Sequence, residues 1–227
     1  MLIVFIAGIA LMLVRPPHSL LRAVALLVPR VVFIAPTKRR TIALTLDDGP
    51  HPSTTPAVLD TLSAHGARAT FFLLGELAAE HPNLVERIAA DGHELGNHGL
   101  RDERSASLSA AALESSVACT HAALAPFGRI TLFRPGGGWI TRRVLETAAR
   151  HGYRCVLGSV YPHDARVRWR AYVVWDILRR VRPGGIVILH EGRPDRVRVI
   201  EVLSTVLPEL RRRGYEITTV SKLLDSR

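Results

Sequence analysis

Five short clusters in this 227-residue chain combine residue types that can carry acid–base or metal chemistry. The first, Thr45-Leu46-Asp47-Asp48-Gly49-Pro50, sets two carboxylates side by side directly after an apolar run. Adjacent carboxylates repel, and the pair makes sense where a cation takes one and a neighbouring cation or a reacting proton compensates the other. The same residue types also suit a plain turn. The second cluster is His93-Glu94-Leu95-Gly96-Asn97-His98-Gly99-Leu100-Arg101-Asp102-Glu103. A helical continuation here would place His98 and Asp102 at i and i+4 on one side, as a metal pair requires, although a lone histidine is more often structural. In the third, Phe133-Arg134-Pro135-Gly136-Gly137-Gly138-Trp139, the glycines let the backbone approach a ligand and offer N–H groups to an oxyanion; a flexible loop is the plainer alternative. The fourth is Gly158-Ser159-Val160-Tyr161-Pro162-His163-Asp164, and the fifth is Ile188-Leu189-His190-Glu191-Gly192. His190 passes from a buried strand into a glycine turn, a placement that suits a general acid and equally a surface histidine.

The elements that must position these clusters alternate in period. Short apolar, β-branched or aromatic runs at Thr41–Leu46, Ala69–Leu74, Arg129–Phe133, Arg154–Leu157 and Gly185–Leu189 read as strands. Between them, Thr55–Ala64, Leu84–Ala90, Ser109–Ala125, Arg142–His151, Ala171–Arg180 and Val197–Arg212 carry helical spacing. Strand and helix in alternation predict a parallel α/β layout, and such folds collect chemistry at the carboxyl ends of strands. The clusters fall there.

In order and rough spacing the five clusters resemble the NodB-type polysaccharide deacetylases, carbohydrate esterase family 4, and Ala69-Thr70-Phe71-Phe72-Leu73-Leu74-Gly75 resembles that family's second strand. The likeness runs from residue 41 to 224. It implies a distorted, incomplete (β/α) barrel behind a short N-terminal apolar leader, and one divalent metal, zinc first, with manganese, cobalt or iron as alternatives. Carried over by position, Asp47 is the general base, Asp48 and His98 are metal ligands, and Asp102 stands where the family has its second histidine. Arg134 holds the base, the Gly137 N–H helps bind the oxyanion, Asp164 tunes the general acid His190, and Leu189 lines the acetyl-methyl pocket. Trp139 and Tyr161 join the substrate-binding set as aromatic faces for sugar rings. Tyr161 replaces the first aspartate of the fourth motif and Ala165 its tryptophan, a pattern similar to a divergent chitin deacetylase-like branch. With Asp48, His98 and Asp102 as ligands, two negative charges would neutralise the divalent ion, so it would polarise water less, implying a more alkaline optimum and tolerance of oxygen-preferring metals.

The implied activity is metal-dependent removal of N-acetyl groups from an N-acetylglucosamine-type poly- or oligosaccharide, chitin-like or peptidoglycan. Two alternatives stand beside it: a glycan-binding pseudoenzyme, and an amidase for another non-peptide C–N bond. Composition narrows the rest. At 48% apolar and 22% charged residues the chain supports one sizeable core and excludes disordered and collagen-like classes. The formal charge of +10 is uneven: Arg15, Arg22, Arg30, Lys38, Arg39 and Arg40 face no acid in residues 1–40, leaving +4 for residues 41–227. The high pI therefore belongs to a leader, residues 1–40, and residues 41–227 form the catalytic domain. No basic stripe with interleaved aromatics supports nucleic-acid binding. Met1–Val14 is apolar but short of the roughly 20 residues of a membrane span, and Leu20–Ala35 is broken by Arg22, Pro29 and Arg30. Together they predict an uncleaved anchor or interfacial segment, with a signal segment as the alternative, and a membrane-associated or extracytoplasmic protein, although the basic residues that follow favour a cytoplasmic body. Cys119 and Cys155 allow one bridge or two buried thiols, with the thiols favoured, and Trp169 and Trp175 read as core or helix-packing residues. Nothing in the sequence bears on oligomeric state.

Overall fold

The computed structural model describes residues 18 to 226, so the apolar stretch Met1–Val14 and the anchor expected of it lie outside the described residues. Among the described residues eight strands form one parallel sheet: β1 (Val31–Val32), β2 (Thr41–Asp47), β3 (Thr70–Leu73), β4 (Glu94–Asn97), β5 (Leu132–Phe133), β6 (Arg154–Val156), β7 (Ile186–His190) and β8 (Glu216–Thr218). The helices are α1 (His18–Leu27), α2 (Thr55–Ala64), α3 (Gly75–Glu80), α4 (Pro82–Ala90), α5 (Ala110–Leu124), α6 (Arg142–Arg150), α7 (Arg170–Arg180), α8 (Arg198–Arg212) and α9 (Val220–Asp225). Local chemistry starts several of them. Ser109 and Thr141 each accept a hydrogen bond at 3.2 Å from the backbone N–H three residues on, capping α5 and α6, and proline opens the first turns of α2 and α4.

The strand order is β1-β6-β5-β4-β3-β2-β7. On one edge of β2, Thr41–Ala43 pair with β8 and Thr45–Asp47 with β3. Past β6 the chain runs to Val160, which bridges Val187 of β7, and the N–H groups of Ser159 and Val160 both donate to the Ile186 carbonyl at 3.0 Å. One flank of the sheet is thereby tied to the other, and the sheet curls into the expected incomplete (β/α) barrel.

Alternation along β2 divides its side chains between two environments. Ile42, Leu44 and Leu46 pack into the large core shared with the helices, while Ala43 joins Phe72, Leu132, Val156 and Ile186 inside, sealed below by Val220 and Leu223 of α9. Thr45 and Asp47 continue the inner face upward from that apolar floor, so the carboxylate stands at the open, carboxyl end of the barrel.

Most expected elements appear within a residue or three of their sequence bounds. β4 was hidden because its Glu-Leu-Gly-Asn sequence is poor in strand formers; a Cβ on Gly96 would lie 2.6 Å from the Phe72 ring, so close packing dictates the glycine. β8, with three residues, and α3 and α9, with six each, are likewise too short to show a period. The expected leader boundary at residue 40 falls within the folded body: Val31 and Val32 pair with Cys155 and Val156, and Leu21 of α1 packs with Val31, Phe33 and Ile140. Both cysteines are free, but only Cys155 is buried; Cys119 is exposed on α5. Trp169 and Trp175 are 77% and 46% exposed, so neither is a core residue.

Candidate active site

The site begins with a register. Asp47 at the end of β2 pairs directly with His190 at the end of β7, so the two side chains leave neighbouring parallel strands on the same face. Each has its own partner. Arg134, immediately past β5, donates from Nη1 to Asp47 Oδ1 at 2.5 Å and to Thr45 Oγ1 at 2.7 Å, and from Nε to the Val156 carbonyl at 3.2 Å. Its guanidinium also lies 4.1 Å from the Phe72 ring centroid. Burial pulls the Arg134 guanidinium below its ordinary pKa, opposed by the charge of Asp47. This arginine is a structural strut that fixes the Asp47 carboxylate from below.

His190 is held by Asp164, which accepts from the His190 backbone N–H at 2.8 Å and lies 2.9 Å from Nδ1. Burial works to lower the imidazole pKa, but the charge of Asp164 and its hydrogen bond, with Asp47 and Asp48 beyond, raise it to about 9. His190 is therefore protonated at neutral pH, as a proton donor must be. Tyr161 packs edge-on against it with ring centroids 5.7 Å apart, and burial followed by the charge of Asp164 raises the phenol pKa.

His98 follows β4. Its Nδ1 lies 2.7 Å from the Arg134 carbonyl, which can only accept, so Nδ1 carries the proton in the bond and Nε2 faces Asp48 Oδ1 at 3.3 Å. An imidazole lone pair and a carboxylate oxygen facing each other require a proton or a cation between them. Without a metal it is a proton: burial opposes it, but the bond to Asp48 and the charges of Asp47 and Asp48 raise the His98 pKa. Burial would raise Asp48, yet the His98 bond and the charges of His98, His190 and Arg196 hold it well below the carboxylate range. Tetrahedral zinc with bonds of about 2.0–2.1 Å sets its donors about 3.3 Å apart, so this N/O pair fits a divalent ion bound through two protein atoms.

Asp102 is not a third. Gly99 adopts φ 88° and the chain bends away without entering a helix, so the i, i+4 pairing with His98 does not form. The Asp102 side chain is 56% exposed, with its carboxylate 4.0 Å from Arg193 Nη1. Among the described residues no group of three His, Cys, Asp or Glu side chains converges to hold a metal ion. The ligand set with two carboxylates expected from the sequence, neutral in sum with a divalent ion, is therefore not assembled among the described residues.

The remaining expected residues form the rim. Gly137 is exposed at φ 71°, a left-handed conformation that favours glycine, and Trp139 beside it is half-buried with the Arg104 guanidinium 5.5 Å from its ring centroid. Leu189 alternates with His190, so it is wholly buried on the helix-facing side of β7 and reaches the site only as the floor of a recess beside His190.

Two further residues shape the site. Glu191 is fully buried and takes hydrogen bonds from Thr54 Oγ1 at 2.7 Å and Thr55 Oγ1 at 2.9 Å. Burial pushes its carboxyl to about 7 against those bonds. It underpins the Asp47-Asp48 turn: its backbone N–H donates to the Asp47 carbonyl at 3.0 Å, and a Cβ on Gly49 would stand 1.9 Å from its Oε1. Asp48 above it holds φ 74°, a conformation that costs a non-glycine residue about 1 kcal/mol and needs such support. Arg196, past β7, brings Nη1 to 3.7 Å from Asp48 Oδ2. The one available signal for Glu191 was an acid directly after a buried strand; for Arg196 there was none.

A carboxylate and an imidazolium stand on one face at the open end of an incomplete (β/α) barrel, each with its own charge partner, an arrangement able to accept one proton and donate another. A profile of the family described as polysaccharide deacetylase matches residues 34–156. The chain is 36% identical over 197 residues to a peptidoglycan-N-acetylglucosamine deacetylase of Bacillus cereus, covering 86% of this chain and 92% of that one. It is also 36% identical over 199 residues to a chitooligosaccharide deacetylase of Bradyrhizobium, covering 81% and 90%. A crystal structure of a peptidoglycan N-acetylglucosamine deacetylase in complex with 4-naphthalen-1-yl-N-oxidanyl-benzamide superposes with a TM-score of 0.82 at 28% identity, over 87% of this chain and 94% of that one. The chain belongs to the polysaccharide deacetylases, the NodB-type carbohydrate esterases of family 4, and is a hydrolase of that class.

Proposed function

We propose that the chain removes N-acetyl groups from an N-acetylglucosamine-type poly- or oligosaccharide, chitin-like or peptidoglycan, with one divalent metal held by Asp48 and His98. The observation that carries this reading is the register pair of Asp47 and His190, a carboxylate fixed by Arg134 beside an imidazolium fixed by Asp164. Asp47 takes a proton from the attacking water. His190 gives one to the amine nitrogen as the C–N bond breaks, so the sugar leaves as a free amine and the acyl group as acetate. When bound, a divalent ion supplies Lewis acidity at the carbonyl oxygen and lowers the pKa of water. The Gly137 N–H is assigned to the oxyanion, and Trp139 and Tyr161 to the sugar. The relatives named for peptidoglycan and chitooligosaccharides support this substrate class.

Acetate release from chitooligosaccharides and peptidoglycan, measured with metal-stripped and zinc-supplied protein, tests the reading. Zinc-dependent acetate from at least one substrate, lost in Asp47→Asn, is expected; no acetate from either with any divalent metal would reject it. The exposed Asp102 favours a second reading, a glycan-binding pseudoenzyme, for which purified protein would retain no divalent ion.

We also infer that the N-terminal segment seats the protein on a membrane surface. Among the described residues no helix is long and apolar enough to cross a membrane, but α1 exposes Leu20, Leu26 and Leu27 while burying Leu21. That is the division of an interfacial helix.

A further inference from the structure

Between the end of β7 and the first turns of α7 and α8 lies a recess that shares walls with the site through His190 and Asp164. Its floor is apolar, made by Leu189, Val173, Val199 and Val202. Its rim is the reverse: Arg168, Arg170, Arg196 and Arg198 stand there against Asp164 and Asp195. Both acids are engaged, Asp164 with His190 Nδ1 at 2.9 Å and Asp195 with Arg193 Nε at 3.3 Å. Arg170 is shared with Glu201 at 3.6 Å. Arg196 Nη1 is taken up by Asp48 at 3.7 Å, whereas the side chains of Arg168 and Arg198 have no hydrogen-bond or ion-pair partner among the described residues. That leaves Arg168 and Arg198 as the uncompensated cations of the rim, and their planar forks match a carboxylate. Ala165 contributes only a methyl group to the wall, leaving the recess wide beside the acid.

Resting on the deacetylase reading above, we propose that this recess binds a short aliphatic carboxylate borne by the glycan, its carbon body on the valine and leucine floor and its charge among the arginines. A bare inorganic anion would waste the floor, and a neutral acyl group would waste the rim. Because His190 is a wall of both, the carboxylate is carried by the sugar being deacetylated or by its immediate neighbour. Trp169, exposed beside Arg168 and Arg170, offers a flat face for the ring that carries it.

The test compares full-chain protein with the double variant Arg168→Gln/Arg198→Gln on three N-acetylated oligosaccharides of equal length: one neutral, one with a carboxyethyl ether on the reacting sugar, one with it on the neighbouring sugar. The parent is expected to favour one carboxylate-bearing substrate over the neutral one, and the variant to lose about tenfold of that kcat/KM ratio, with partial recovery in Arg168→Lys/Arg198→Lys. Which acidic substrate is favoured identifies the sugar. Equal turnover of all three by the parent, or a preference untouched in the variant, overturns the proposal. If the parent releases acetate from none of them, it is the deacetylase reading that fails, and the recess is judged by saturation-transfer NMR with free lactate. Lactate signal in the parent that is lost in the variant supports the carboxylate site, and signal absent or equal in both overturns it.

Discussion

Two stretches of chain whose carboxylates the sequence places near His98 behave differently. On the β2–β7 wall, Asp47 and His190 leave adjacent strands in register, and each meets a buried partner, Arg134 or Asp164. On the 99–104 segment past β4, Gly99 turns the chain, Asp102 faces solvent, and its contact is an exposed arginine. Chemistry set by strand register survives small changes around it, because the ladder fixes both ends; chemistry set by a loop depends on a path that no ladder fixes.

The largest effect expected from this contrast is on the wall. Asp47→Asn should keep the fold and lower kcat by about 10² to 10⁴, the range for losing a general base, read by acetate release. Arg134→Ala strips the partner from a buried carboxylate and should cost about 3–5 kcal/mol in denaturant unfolding. Glu191→Ala leaves two buried threonine hydroxyls without their acceptor and should cost about 2–3 kcal/mol. Since burial lifts Glu191 to about 7, its share of stability is complete below its ordinary value and is lost as pH rises through about 7; Glu191→Gln should flatten that stretch of the stability curve. The smallest effect belongs to the loop. Asp102→Ala should leave zinc affinity, followed by calorimetry, within about twofold of the parent, whereas His98→Ala should lose more than about 100-fold. Equal losses would place Asp102 among the ligands and erase the contrast.

What the sequence made legible follows the same line. The long strands and helices declared themselves by period, and the Asp47, Arg134 and His190 motifs by strand ends, so the barrel and the meeting of these residues on its β2–β7 wall could be anticipated. β4 could not, because packing against Phe72 demands a glycine that strand propensity penalises. The expected helix from His98 to Asp102 assumed that a periodic spacing continues past a strand end, and a glycine at φ 88° broke it. Glu191 was in plain view in its motif, but its role depends on Thr54 and Thr55, far away in sequence. Val31–Val32 lay in what reads as a leader because two residues are too few to show a period.

The most direct test of the central claim is the pH profile of kcat for acetate release by the parent and by Asp164→Asn. Against burial, which lowers it, the charge and hydrogen bond of Asp164, with Asp47 and Asp48 beyond, raise His190 from its ordinary 6.5 to about 9, so the imidazole holds its proton through neutral pH and gives it up only as pH rises through about 9. The parent should therefore lose activity on an alkaline limb near 9, and Asp164→Asn should move that limb down by at least a unit toward 6.5. An alkaline limb that stays in place in the variant would contradict His190 as the acid and Asp164 as the group that tunes it.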